Sequence, residues 1–357
     1  MSQAVEQVAR IVCGIWLVSR FLGLGLEKAV TGASFATVAG ETVGFAYRFA
    51  YLLLRFKATA QPLKARFSSR AAGRLLTFGL PVTLGRLAAS AIAMLQAFLI
   101  PLCLQKAGWD MRAATEMYGR FAGVAMALIH LPGVFTSALA VSVMPAVAET
   151  ASGGQLLKRR VGHSLQAASV FTFPGMLLLF FFADELTARL FHNPLAAPLV
   201  RILAVGGCFF HLQVTLVSVL QGLGEVKALL INNLLSGLIL LFGIVMLTAQ
   251  PALGIRGAAL AADVAWASGF ILNLSHFLRA SHLRFDWANV LLKPSLAALA
   301  AGAIYLLLRA PLAALLPGAS SLAGILLSMA MLSLAYVLLL MLSHGLHMGL
   351  WSRIKKR

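Results

Sequence analysis

Residues 321–343 read SLAGILLSMAMLSLAYVLLLMLS, a run with no charged side chain. Crossing the hydrocarbon of a bilayer takes about 20 such residues in an α-helix. The run lacks the period-two alternation of a barrel strand. Working outward, similar apolar runs occupy roughly 8–26, 29–54, 75–101, 118–146, 163–182, 199–221, 228–248, 257–279 and 294–310. The sequence thus specifies an all-α polytopic membrane protein with about ten transmembrane helices.

Composition points the same way. Of 357 residues, 60% are hydrophobic and 11% charged, with mean hydropathy +0.90. A soluble domain carries about 25% charged residues, so this chain has too little polar surface to cover a water-soluble globule. That excludes an ordinary cytosolic enzyme, a disordered chain and a secreted disulfide scaffold. Cys13, Cys103 and Cys208 lie in or at the ends of apolar stretches without a CxxC pair, which predicts neither disulfide nor metal site. Residues 1–10 lack the basic flank of a signal peptide and read as entry into an amphipathic helix.

Lys and Arg number 29 against 11 acids. On a soluble protein that excess suggests nucleic acid. Here the bases gather in alternate links: Arg55, Lys57, Lys64, Arg66, Arg70 and Arg74; Lys158, Arg159 and Arg160; Arg279, Arg284 and Lys293; and the tail Arg353, Lys355, Lys356, Arg357. The positive-inside rule puts those links and both termini in the cytoplasm, with no nucleic-acid partner. Two termini on one side require an even number of spans, which agrees with ten. The longest link is too short to fold alone.

Gly32-Ala-Ser-Phe-Ala-Thr-Val-Ala-Gly-Glu-Thr-Val-Gly44-Phe45 aligns without a gap on Gly257-Ala-Ala-Leu-Ala-Ala-Asp-Val-Ala-Trp-Ala-Ser-Gly269-Phe270. Small residues on one face let helices approach closely. The match pairs spans one and two with spans seven and eight and implies a six-helix repeat, a common transporter plan. The domain reading follows: 1–56 as the last two helices of an N-terminal lobe, 57–74 as a basic cytoplasmic link, 75–280 as a six-helix C-terminal lobe, and 281–357 as two additional helices with a basic tail. A complete architecture would have fourteen spans, of which this chain carries the last ten.

Further stretches carry a family likeness: Ser2 to Arg10, Leu80-Pro-Val-Thr-Leu-Gly-Arg86, Leu131-Pro-Gly-Val-Phe-Thr-Ser-Ala-Leu139, Val143-Met-Pro-Ala-Val-Ala-Glu149, Leu220-Gln-Gly-Leu-Gly224 and Pro251 to Ala261. With these in order, the chain resembles the stage V sporulation protein B-like polysaccharide and lipid II flippases of the MATE/MOP superfamily. The resemblance implies fourteen helices in two six-helix lobes plus two, with the first four helices lacking here. It implies transport of undecaprenyl-linked cell-wall or polysaccharide precursors by alternating access, with a place in spore cortex synthesis. The implied partners are a lipid-linked oligosaccharide or lipid II-like substrate and the plasma-membrane bilayer, with no cofactor. Three alternatives stand beside it: a drug or metabolite cation antiporter of the same superfamily, an inactive truncated fragment, and a membrane glycosyltransferase or ligase. The last needs a catalytic group on a substantial external loop, and the links are short.

An ionisable side chain within a span costs about 2.5–3.5 kcal/mol on insertion scales, so each needs a reason. A lipid carrier's pyrophosphate calls for arginines, whose planar fork offers several donors. The candidates for a substrate cavity are Arg86, which follows the helix-bending Pro81, then Arg120, Arg20, Glu41 and Arg48. In lipid II flippases a corresponding helix supplies a cavity arginine, which the resemblance carries onto Arg120. Arg20 and Glu41 are placed to form an interhelical pair, and Arg48 shares a helix face with Glu41. Asp263 is a candidate for a coupling ion, against the blander reading of a packing hydrogen bond. His130, His211 and His276 read as hydrogen-bonding residues of the bundle interior, and Gln213, Asn232 and Asn233 as interhelical polar glue.

Overall fold

The computed structural model describes residues 2–58, 69–150, 154–281, 286–315 and 321–343. Among them there is no strand. The helices are α1 (Ser2–Leu22), α2 (Leu26–Ala58), α3 (Ser69–Lys106), α4 (Met111–Gly119), α5 (Met126–His130), α6 (Gly133–Ala148), α7 (Gln155–Phe181), α8 (Ala183–Phe191), α9 (Ala197–Gly222), α10 (Val226–Gly243), α11 (Ile255–Ser281), α12 (Lys293–Leu315) and α13 (Leu322–Leu342). Short π-helical turns at Arg120–Ala125, Ile244–Thr248 and Ala288–Leu292 continue α4, extend α10 and open α12. Lys64, Arg66, Arg284 and the basic tail lie outside the described residues.

Among the described residues seven helices are long and apolar enough to span a bilayer, and a bent pair makes an eighth if its two arms count as one span. That pair is Met111–His130 with Gly133–Ala148, set at 57°. The first two expected spans, 8–26 and 29–54, form helices of spanning length, α1 and α2, but neither is among those eight. Glu6, Arg10 and Arg20 on α1, and Glu27, Lys28, Glu41 and Arg48 on α2, dilute their apolar character.

The chain divides into two compact units at Ala71/Ala72. In the first, α1 and α2 form a hairpin through Gly25, whose φ of 112° suits glycine. Ala29, Gly32, Ala36, Gly40 and Gly44 recur every three or four residues on α2 and are all buried. They form one small-residue face. A Cβ on Gly40 would stand 2.9 Å from the Cβ of Arg10, and one on Gly32 2.8 Å from the Phe21 ring. The absent methyls set the helix separation.

In the second unit α9 is the axis, packed against α6, α7 and α11. Its buried residues face several directions, among them Leu203, Ala204, Gly207, His211, Leu212, Leu216 and Leu220. One core joins Ile100 and Leu104 of α3 to Leu203 of α9 and Ala258 and Ala262 of α11. A second, toward the other end, joins Val147, Val161 and Leu165 to Leu216, Leu220 and Phe277. A third seats α12 and α13 against Phe182, through Ala298, Ala301, Leu332 and Tyr336.

The break at residues 131–132 has a local cause. Pro132 and the turn it starts interrupt the helical ladder, leaving carbonyls without their usual donors. The Nε2–H of fully buried His211 donates to the Ile129 carbonyl at 2.9 Å. Its Nδ1 lies 3.2 Å from the Thr136 hydroxyl, which can donate to it once Nε2 holds the proton. A Cβ on Gly133 would come within 3.0 Å of the imidazole, so a residue without one keeps the ring in place. His211 thus reads across the bundle as expected, and His276 bonds Glu225 at 3.0 Å between α11 and the α10 entry. His130 differs: it is exposed and bonds the Met126 carbonyl of its own helix at 2.6 Å.

Candidate functional site

The polar face of α3 begins at Pro81. Proline supplies no N–H, so the Thr77 carbonyl loses its backbone donor and the helix is free to bend there. Beyond it Gly85, Ala89, Ile92 and Gln96 recur at helical spacing on one face. They line a cavity of about 420 Å³ with Gln213 and Phe210 of α9, Asn233 and Ser236 of α10, and Trp266 of α11. A neighbouring space of about 190 Å³ is lined by Pro81, Arg86, Gln221 and, again, Gly85, Ala89 and Asn233. The shared lining makes one cleft along α3. Among the described residues Arg86 is its sole ionisable lining residue and makes no ion pair.

Two glycines shape the walls. Ile92 of α3 inserts its δ-methyl where a Cβ of Gly237 on α10 would be. On α11 a Cβ at Gly269 would meet the Gln213 amide nitrogen at 2.7 Å, so Gly269 makes room for that amide. The two asparagines of α10 diverge because consecutive helical residues point about 100° apart. Asn232 donates to the fully buried Asn273 at 2.9 Å, as polar glue. Asn233 lines the cleft. Sequence reasoning treated Gln213 and Asn233 as glue and did not single out Gln96, Gln221, Ser236 or Trp266; only the rotation of each helix reveals them.

The remaining sequence candidates lie elsewhere. Arg120 lines a separate cavity with Trp109, Asp184 and Arg256. Arg20, Glu41 and Arg48 belong to the first compact unit. There the expected Arg20–Glu41 pair does not form: both side chains are exposed, and neither enters an ion pair among the described residues. Glu41 follows Gly40 by one residue and so turns off the face that meets α1. The partner of Arg48 is Glu6, at 3.0 Å, and the other oxygen of Glu6 accepts from Arg10, also at 3.0 Å. Gly44 admits this carboxylate; a Cβ there would stand 3.1 Å from it. Asp263 presses its carboxylate against the backbone of Gly206. It does not line the cleft along α3. No group of three His, Cys, Asp or Glu side chains converges as a metal site among the described residues.

A further cavity, of about 580 Å³, lies between α7, α9 and α12. Phe173, Leu177, Phe181, Val205, Leu299 and Leu306 are typical of its apolar walls.

The chain is 31% identical over 268 residues to stage V sporulation protein B of Bacillus subtilis (strain 168), covering 73% of this chain and 51% of the relative. It is 24% identical over 244 residues to sporulation protein YkvU of the same organism, covering 68% of this chain and 55% of the relative. It thus spans about half the length of the curated relatives it matches. No protein-family model matches. Among solved structures, lipid II flippase MurJ in an inward closed conformation superposes with a TM-score of 0.58 at 14% identity, over 95% of this chain and 65% of that one. The chain is a multi-pass membrane protein of MurJ-like fold and a sequence relative of stage V sporulation protein B.

Proposed function

We propose that the protein carries lipid-linked glycan precursors across the membrane by alternating access, making and breaking no covalent bond. The observation that carries this is the cleft along α3: among the described residues, one arginine without an ion pair in a wall of amides, small residues, aliphatic side chains and aromatics. A polyprenyl-pyrophosphate glycan has matching parts. Its pyrophosphate suits the guanidinium fork of Arg86. Its hydroxyls suit Gln96, Gln213, Gln221 and Asn233, which both donate and accept. A sugar face suits Trp266. The apolar space between α7, α9 and α12 offers the polyprenyl chain a place beside α12, one of the two additional C-terminal helices. A carrier of cationic drugs would instead need an acid in the cleft, and among the described residues none lines it. The sequence relatives and the MurJ-like fold support the same reading.

The test is binding followed by transport. Purified protein in detergent is titrated with undecaprenyl pyrophosphate and with undecaprenol. The pyrophosphate should bind at least about tenfold more tightly. Arg86→Ala should abolish that preference, and Arg86→Lys should restore it only in part, because an ammonium keeps the charge but loses the fork. Movement of a labelled undecaprenyl-pyrophosphate glycan between vesicle leaflets, normalised to folded protein, should follow the same order. Equal binding of the two lipids, or unimpaired flipping by Arg86→Ala, would sink the proposal.

A further inference from the structure

The cavity that holds Arg120 has its own chemistry. It encloses about 420 Å³ near the Lys106–Asp110 link, with Trp109, Arg120, Asp184 and Arg256 on its walls and turns stiffened by Pro194 and Pro251. Its one acid is already engaged, since the Asp184 carboxylate accepts from Arg201. Among the described residues Arg120 reaches only Glu116, at 3.8 Å, and that carboxylate is held more closely by Arg112, at 3.3 Å. Among the described residues Arg256 enters no ion pair. It also stands in the first turn of α11, where a cation opposes the helix dipole, so helix stability does not account for it. Two guanidiniums with unused donors therefore share a recessed space beside an indole.

We propose that this cavity is a second anion site, which binds a phosphate monoester or diester between Arg120 and Arg256, with the attached organic group against Trp109. Guanidinium is the donor that matches phosphate oxygens in pairs, and an amphipathic indole suits the group a phosphate carries. The same chemistry is presented by the headgroup of an anionic phospholipid and by a soluble phosphate. The site shares no lining residue with the Arg86 cleft, and binding to it is read without any transport, so it stands or falls apart from the carrier function.

The experiment titrates the full chain in neutral detergent with dioctanoyl-phosphatidylglycerol, dioctanoyl-phosphatidylcholine and inorganic phosphate, following Trp109 emission against a Trp109→Phe blank. Saturation by phosphatidylglycerol but by neither other probe supports a lipid source. Saturation by inorganic phosphate as well supports a site for the phosphate alone. In either case Arg256→Gln and Arg120→Gln should each weaken binding about tenfold or more, and Arg256→Lys should weaken it less. Lys106→Gln removes a charge from the same end without touching the cavity and should bind as the unsubstituted chain does. The proposal is overturned if neither anionic probe saturates. It is equally overturned if both glutamine variants, folded by their melting curves, bind like the unsubstituted chain.

Discussion

Glu6 is the residue on which the first hairpin turns. Its carboxylate is 16% exposed and takes Arg10 and Arg48 at once, across the helix face that Gly40 and Gly44 open. Glu6→Gln would leave two guanidiniums sharing a neutral amide, at a cost of about 1–3 kcal/mol for the lost charge-assisted bonds. Denaturant unfolding in mixed micelles should show that loss, and Arg48→Gln should show less, because Arg48 is more than half exposed. An unchanged midpoint for Glu6→Gln would mean the trio contributes nothing to stability. In the cleft, Gly269→Ala should act through Gln213: the new methyl would lie against its amide and push it into the space proposed for substrate. The expected result is weaker binding of the polyprenyl pyrophosphate with little change in melting temperature. Arg86 was legible in the sequence because an arginine in an apolar run is conspicuous. Gln213 and Asn233 were visible as polar residues but not as cleft residues, since a shift of one position along a helix turns a side chain by about 100°. Glu6 was missed because it lies before the first apolar run and its partners are set by how two helices cross.

At the scale of elements, the two segments matched as repeats behave alike in one respect and differ in another. In the first hairpin Gly14 on α1 faces Ala36 on α2; in the second Gly243 on α10 faces Ala261 on α11. Ala36 and Ala261 are equivalent in the sequence match, so the same alanine is seated against a glycine of the preceding helix in both. The turns differ in length, Gly23–Gly25 against six residues after Thr248, and the later glycine partners do not correspond: Gly44 meets Glu6, whereas Gly269 meets Gln213 of α9. Superposition of the two hairpins is therefore expected to hold around the Gly–Ala contact and to drift toward Gly44 and Gly269. The bent span belongs to the same scale. The sequence showed one apolar run over 118–146 with Pro132 inside it, enough for a bend but not for its support, because the supporting histidine is some eighty residues away. His211→Ala removes the donor to the Ile129 carbonyl and should cost about 1–3 kcal/mol, the penalty of a buried unsatisfied group. His211→Asn, which retains an N–H, should recover part of it. A calorimetric melt separates the cases: equal midpoints for all three proteins would show that the carbonyl finds another donor.

At the scale of the molecule, the apolar runs located the helices well, because burial in lipid needs only length and hydropathy. They could not report that the link of 57–74 falls near a division between two compact units at Ala71/Ala72. Orientation across the membrane rests on charge alone. The links after α2, α6 and α11 are basic, while the Ala107–Asp110 turn after α3 carries one acid, Asp110, and no base. Each positive charge resists translocation, so the basic links should remain inside and the Trp109 turn should face out. Ser69 and Asp110 flank α3 at opposite ends and are both described, so single cysteines at these positions in a background lacking Cys13, Cys103 and Cys208 give a direct reading. A maleimide that cannot cross membranes should label Asp110→Cys in intact cells, and Ser69→Cys only after the cells are opened. Labelling of both in intact cells would show that α3 does not span. The reverse pattern would show that the basic links face out, and would place the Arg86 half of the cleft on the outer side and the Arg120 cavity within.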